Sequence, residues 1–147
     1  MKSGKVWGIT ELVHANSSFE FHRIETKAGG TCSKHKHKHK WNGFFVEKGE
    51  LIVRIWKETT SEKAGISTHI DETHLFAGDF LYVKPTEYHQ FEAVVDTIAF
   101  ELYWAEFNHD DIEREDHGTL KNQDISLDFG VDSFIEDGDY GYINLME

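Results

Sequence analysis

Apolar and polar residues alternate over short stretches of the chain, and turn residues such as glycine separate these stretches. No long segment repeats its apolar residues with the period of a helix. We therefore predict strands over residues 6–13, 18–26, 31–39, 43–47, 50–57, 66–72, 80–84, 89–94 and 98–107, with a polar loop at 58–64. Lys48-Gly49 predicts a hairpin turn, and residues 110–116 predict a single helical turn. Many short strands at close spacing are typical of an all-β sandwich or barrel.

The predicted strand over residues 31–39 carries three histidines that alternate with lysines. Successive side chains of a strand point to opposite faces, so His35, His37 and His39 share one face. Imidazole is the commonest protein ligand of transition metals, and the pattern therefore predicts a metal site. The alternatives are a solvated basic strand and a histidine-rich tract that chelates metal loosely. The lysines either steer an anionic ligand such as a sugar phosphate or protect an edge strand.

The spacing around these histidines resembles the two sequence motifs of the cupin family. The first motif, G-x5-H-x-H-x3-4-E-x6-G, fits Gly29, His35, His37, Asn42 and Gly49, with asparagine in place of glutamate. The second, G-x5-P-x-G-x2-H, fits Gly78 and His89, but its proline is shifted by one to Pro85 and Thr86 replaces its inner glycine. The resemblance implies an all-β, single-domain cupin, a double-stranded β-helix or jelly-roll barrel, in which His35, His37 and His89 bind a metal.

Two further segments narrow this resemblance to one type of cupin. Lys5-Val6-Trp7-Gly8 resembles the K-x-W-G opening strand of the mannose-6-phosphate isomerase type, and residues 107–118 resemble the acidic D-D-I-x-R segment that ends that domain. The resemblance implies a barrel over residues 1–118 that acts on a small carbohydrate or sugar phosphate, with aldose–ketose isomerisation as the expected reaction. A non-catalytic small-molecule-binding cupin and an Fe(II)-dependent oxygenase are the alternatives.

Asn42 changes the expected donor set, because its neutral amide oxygen is a weaker ligand than a carboxylate. His39 is a candidate replacement on the same strand face, unless the chain bends after His37 and leaves His39 at the surface. Nitrogen donors favour Zn, Ni, Cu or Fe(II) over Mg or Ca, and we expect one divalent transition metal such as Zn, Ni, Fe or Mn. A pocket that has lost its metal and only binds a ligand is the alternative.

The cavity of a small barrel is lined by alternate residues of its strands. Glu101 stands between apolar neighbours, and if it points inward, burial would raise its pKa and suit it to proton transfer as a catalytic residue. Aromatic rings with polar groups suit a small polar ligand such as a sugar, although such residues are more often core. The candidate substrate-binding residues are Trp41, Phe45, Tyr82, Tyr88 and Tyr103.

Composition and charge limit the partners. The 147-residue chain has a net charge of −12, which disfavours binding to nucleic acid and to anionic membranes. We predict a cytoplasmic protein from three features of the sequence. It has one cysteine, its N-terminus has no signal-peptide pattern, and it contains no apolar run long enough to cross a membrane. Residues 119–147 mix acidic and apolar side chains, so we predict an extension that packs on the barrel or on the second subunit of a homodimer.

Overall fold

The computed structural model describes residues 1–107 and 109–121. This part of the chain contains nine strands and no helix, so the all-β prediction is confirmed. The strands are β1 (Lys2–Lys5), β2 (Gly8–Ala15), β3 (Phe19–Thr26), β4 (Trp41–Lys48), β5 (Glu50–Ser61), β6 (Gly65–Phe76), β7 (Phe80–Val83), β8 (Tyr88–Ala93) and β9 (Thr97–Trp104). No described segment forms a helix that is long and apolar enough to cross a membrane.

The strands form two antiparallel sheets that share one hydrophobic core. The larger sheet has the order β1-β2-β3-β9-β4-β7, and the smaller has the order β6-β5-β8. Both sheets contribute fully buried side chains, for example Phe44 and Val46 from β4, and Leu51 and Val53 from β5. Burial of each such side chain stabilises the fold by roughly 1.5–3 kcal/mol. The core therefore holds the two sheets face to face.

The predicted hairpin at Lys48-Gly49 is wrong. These residues connect β4 of the larger sheet to β5 of the smaller one, so the chain turns a corner between the sheets. Gly49 has a φ angle of 105°, and a Cβ atom there would lie 2.7 Å from the Asp96 carbonyl oxygen. The corner requires glycine for both reasons. The actual hairpin joins β5 to β6, and it takes up most of the residues predicted as a polar loop.

The predicted strand over residues 31–39 is also wrong as a continuous strand. The segment is extended, and its backbone pairs with β8 at two isolated bridges, Thr31 to Glu92 and His35 to His89. The alternation of side chains still holds up to residue 37, because His35 and His37 are half-buried while the lysines between and beside them are exposed. A bend at Lys38 and His39 then ends the extended run.

The chain divides into two units, Met1–Ala105 and Glu106–Glu147. The first unit ends at Ala105, and the predicted barrel over residues 1–118 stays a prediction. In the second unit, the described residues contain a turn at His109 and Asp110 and no helical turn over 110–116. Most of the predicted C-terminal extension, from residue 122 onward, lies outside the described residues, and its packing on the barrel or on a dimer partner stays a prediction.

Candidate metal centre and cavity

Three histidines lie close together where the extended segment runs beside β8. His35 and His37 come from the extended segment, and His89 comes from β8. One ligand nitrogen from each lies within 4.8 Å of the others, so the group could hold a metal ion. Two backbone hydrogen bonds fix the pairing of the segments: the His35 N–H donates to the His89 carbonyl oxygen at 3.1 Å, and the reverse bond measures 2.9 Å.

Backbone carbonyl groups orient two of these rings. Nδ1 of His35 lies 2.8 Å from the Ser33 carbonyl oxygen, and Nδ1 of His89 lies 2.9 Å from the Glu87 carbonyl oxygen. A carbonyl oxygen only accepts hydrogen bonds, so each Nδ1 carries the proton and each Nε2 presents a lone pair. Metal-binding histidines are usually held in this way, with the second ring nitrogen donating to a carbonyl or carboxylate.

The lone pair on His89 faces another acceptor. The Asn42 amide donates through Nδ2 to the Leu102 carbonyl oxygen at 3.1 Å, which turns its Oδ1 toward His89 Nε2 at 2.9 Å. Two acceptors this close repel each other unless a proton or a metal ion satisfies both. In addition, His37 Nε2 is buried and has no hydrogen-bond partner among the described residues. The donor atoms therefore fit a bound cation better than an empty pocket.

The histidines are poor proton binders in this environment. Burial, with the neighbouring His35 and His89, lowers the pKa of His37 to about 4. Burial also lowers the pKa of His89. Both rings are consequently neutral at neutral pH, and their lone pairs are free for a metal. Because Asn42 is neutral as well, these donors would leave the charge of a divalent ion uncompensated.

His39 does not join this group. Its side chain is exposed, it lies in the bend, and the three-histidine group does not include it.

The bend is held by Thr86, whose N–H donates to the His37 carbonyl oxygen at 2.6 Å. Thr86 has a φ angle of 72°, which explains why the corresponding motif position is glycine. A β-branched residue in this left-handed region is strained by roughly 1–2 kcal/mol.

A cavity of about 370 Å³ opens beside the histidines. Tyr103 and Glu101 form part of its wall together with His35 and His37. The Tyr103 ring lies edge-on to the His37 ring, with 5.1 Å between centroids. Its hydroxyl donates a short hydrogen bond to Glu101 Oε1. Burial raises the pKa of Glu101 to about 7, and burial with the nearby Glu101 also raises the pKa of Tyr103. Tyr103 thus remains a donor while Glu101 can gain or lose a proton near neutral pH.

Four of the five predicted aromatic residues do not line this cavity. Trp41 stacks on Trp104 on the outer face of the larger sheet, with 6.3 Å between ring centroids. Phe45 and Tyr82 also lie outside, beside Phe100 and Trp41 respectively. Tyr88 is exposed and lies under the amino group of Lys36. The reason is strand alternation: Asn42 points inward, so Trp41 must point outward. Tyr103 is the one predicted aromatic residue in the cavity wall.

Sequence reasoning missed several polar residues of the cavity. Glu20 and His22, which match no motif, lie on the inner face of β3, and Lys40 follows the bend. Glu20 Oε2 lies 3.7 Å from Lys40 Nζ and 3.6 Å from His22 Nε2. The available signal was the alternation along β3, which places Glu20 and His22 on the same face as the core residue Ile24.

Cys32 also reaches the cavity but is not a reactive thiol. Its Sγ accepts a hydrogen bond from the Phe91 N–H at 3.1 Å. Burial raises the pKa of the thiol to about 12. The thiolate, which is the nucleophile and metal ligand, is therefore absent at neutral pH.

Comparison with known proteins identifies the fold. No family model and no curated protein matches the sequence. Among solved structures, KdgF from Halomonas sp. matches with a TM-score of 0.58 at 14% identity, covering 73% of this chain and 89% of that chain. An RmlC-like cupin from Shewanella frigidimarina matches with a TM-score of 0.54 at 19% identity, covering 70% and 82%. An RmlC-like cupin from Desulfovibrio desulfuricans matches with a TM-score of 0.51 at 19% identity, covering 67% and 82%. The predicted single-domain cupin fold is confirmed.

Proposed function

We propose that the chain binds one divalent transition metal and catalyses proton transfer on a small carbohydrate or sugar phosphate. His35, His37 and His89 would hold the metal, with the Asn42 amide oxygen as a fourth donor. The observation that carries the proposal is that His35 and His37 of the three-histidine group line the same cavity as Glu101, whose pKa is about 7. A carboxyl group with this pKa can both accept and return a proton at neutral pH.

Aldose–ketose isomerisation is the reaction that uses all of these groups. Glu101 takes the proton from the hydroxyl-bearing carbon next to the carbonyl and returns it to the former carbonyl carbon, while a hydroxyl proton moves from one oxygen to the other. Tyr103 donates to Glu101 and holds its carboxyl group in place. The metal, when bound, supplies Lewis-acid stabilisation of the two substrate oxygens. The volume of the cavity falls within the range of small-molecule sites.

The test combines metal analysis with an isotope experiment. Protein purified without a histidine tag is analysed for metal and then incubated in D2O with hexose and pentose phosphates. We expect stoichiometric metal and deuterium incorporation at C1 or C2 of a substrate. Glu101→Gln should lose the exchange but keep the metal, whereas Tyr82→Phe on the outer face should keep both. Exchange that persists in Glu101→Gln would contradict the role of this carboxyl group.

A non-catalytic binding protein is the second candidate, and Asn42 is the observation that favours it. A neutral amide in place of a carboxylate suits a site that holds a ligand without turning it over. In this case the protein would bind sugar phosphates in the same cavity, but no deuterium would enter them. The isotope experiment therefore separates the two candidates.

A further inference from the structure

The cavity beside the histidines contains a cation that the proposed reaction does not use. Lys5, the last residue of β1, lines its wall. The other lysine of the cavity, Lys40, has the Glu20 carboxylate 3.7 Å from its amino group. Lys5, in contrast, has no ion pair with a carboxylate among residues 1–107 and 109–121. Its side chain is exposed, and its charge acts on the cavity residue Glu101, whose pKa it lowers, so this charge is also available to a ligand in the cavity.

The turn after Lys5 fixes this residue beside the cavity. Trp7 packs edge-on against Phe91 with 5.0 Å between ring centroids, and its carbonyl oxygen accepts hydrogen bonds from Thr26 and Lys27, each at 3.2 Å. Gly8 has a φ angle of 157°, and a Cβ atom there would lie 2.0 Å from the Glu25 carbonyl oxygen. The Trp-Gly pair therefore anchors the turn tightly against β3. In the Lys-x-Trp-Gly sequence, the tryptophan and glycine thus hold the turn in place, and the turn positions the lysine at the cavity wall.

The cavity carries the opposite charge from the protein as a whole. The chain has a net charge of −12, yet the cavity combines Lys5 and Lys40 with a paired Glu20 and a Glu101 that is only partly ionised at pH 7. Asn42 is a neutral donor, so it would not offset the charge of a bound divalent ion. A positive cavity in an acidic protein concentrates anions.

We infer that the ligand of this cavity is a small anion, a sugar phosphate or a sugar acid, and that Lys5 binds its phosphate or carboxylate group. The hydroxyl and carbonyl oxygens of the ligand then face the three histidines. Phosphate and carboxylate share the chemistry that a lysine recognises, namely charge-assisted hydrogen bonds from an ammonium group. The inference rests on the proposed function for the location of the site and adds the charge of the ligand and the residue that selects it.

The matched control lies on the same strand. Lys2 is exposed at the other end of β1, and its amino group lies 4.0 Å from Glu11. Lys2→Gln and Lys5→Gln therefore remove the same charge from the same strand, but only the second changes the cavity. If Lys5 were an ordinary surface lysine, the two variants would behave alike.

The experiment measures binding by titration calorimetry on the full-length, Zn²⁺-loaded protein and on the metal-free protein. The probes are glucose 6-phosphate, gluconate, glucose and inorganic phosphate. We expect glucose 6-phosphate or gluconate to bind at least about tenfold more tightly than glucose, with an affinity that falls as salt rises. Lys5→Gln should remove this preference, Lys5→Arg should retain it, and Lys2→Gln should leave it unchanged. The ratio of the two anion affinities distinguishes a phosphate ligand from a carboxylate ligand.

Three results would overturn the inference: equal affinity for glucose and both anions, an unchanged preference in Lys5→Gln, or an equal loss in Lys2→Gln. No binding of any probe to the wild-type protein would also count against it. Binding needs no turnover, so the outcome is independent of the isomerase test. Anion binding that depends on Lys5 without deuterium exchange would contradict the proposed reaction alone. Exchange without this dependence would contradict the inference alone.

Discussion

Near the three histidines, the inner and outer faces of the larger sheet differ in the polarity of their side chains. On β9, Glu101 and Tyr103 point inward, while Phe100 and Trp104 belong to the outer face. A half-buried sheet normally places apolar residues inside and polar residues outside. The reversal costs stability, because polar groups are removed from water. This reversal therefore marks the part of the larger sheet that lines the candidate site. Because neighbouring residues of a strand lie on opposite faces, each pair provides one variant inside the site and one matched control outside it.

The largest difference is expected for the neighbours His89 and Tyr88. His89→Ala removes a donor from the centre of the three-histidine group and should weaken metal binding by more than about 100-fold. Tyr88→Ala changes the exposed neighbour and should leave metal affinity unchanged. Metal titration of both variants, with circular dichroism to confirm folding, checks this. Tight binding in His89→Ala would point to the histidine–lysine run as the chelator.

The inward position of Glu101 predicts a pH-dependent stability effect. The folded-state pKa of about 7 lies above the ordinary value of 4.5, so the folded protein keeps this proton while the unfolded chain loses it. The stabilising contribution is complete below pH 4.5 and is lost as pH rises through 7. In metal-free protein, Glu101→Gln should therefore gain stability relative to wild type as pH rises from 4 to 8, by up to about 3 kcal/mol. Denaturant unfolding at several pH values measures this, and a pH-independent difference would contradict burial of the carboxyl group.

Asn42 and Trp41 form the next pair. Asn42→Ala removes the amide oxygen 2.9 Å from His89 Nε2, and we expect metal affinity to fall about tenfold. Trp41→Phe and His39→Ala should have no effect, because both residues lie outside the donor group. Competition titrations with a chelator rank the three variants. A larger effect of His39→Ala would restore His39 as the replacement for the motif glutamate.

The smallest effect is expected at Thr86, whose turn supports the inner face. Thr86→Gly relieves the strain of a φ angle of 72° and keeps the N–H that bonds to His37. Stability should rise by roughly 1 kcal/mol, because the strain relieved exceeds the added freedom of glycine in the unfolded chain. Thermal and urea unfolding measure the change. A loss of stability would mean that the threonine side chain makes a contact worth more than the strain.

The sequence predicts the faces of individual strands better than it predicts how strands pair. Glu101 and Tyr103 are two residues apart, so their common face follows from alternation alone. The same rule separates Trp41 from Asn42, although the prediction placed both in the site. Strand register, in contrast, depends on pairing between segments that are distant in the sequence. This register places His22 opposite Glu101 and Asn42 opposite Tyr103. Local patterns do not contain that information.

The corner at Lys48-Gly49 shows the same limit in the fold. A glycine between two apolar runs is consistent with a hairpin and with a change of sheet, because both need a residue with positive φ. The contact of Gly49 with Asp96 and Thr97, which decides between them, is tertiary. The histidine spacing, by contrast, predicted the three-histidine group, because His35 and His37 need only local alternation and His89 follows from the second motif. The homodimer and the cytoplasmic location stay predictions.

The most direct test of the account is a long-range ¹H–¹⁵N spectrum of the histidine side chains during titration of the metal-free protein with Zn²⁺. It reports which nitrogen of which ring binds the metal. The account predicts that one equivalent of Zn²⁺ shifts the Nε2 signals of His35, His37 and His89, while the signals of His39 stay in place. Shifts of His39 together with His35 and His37, with His89 unchanged, would contradict it.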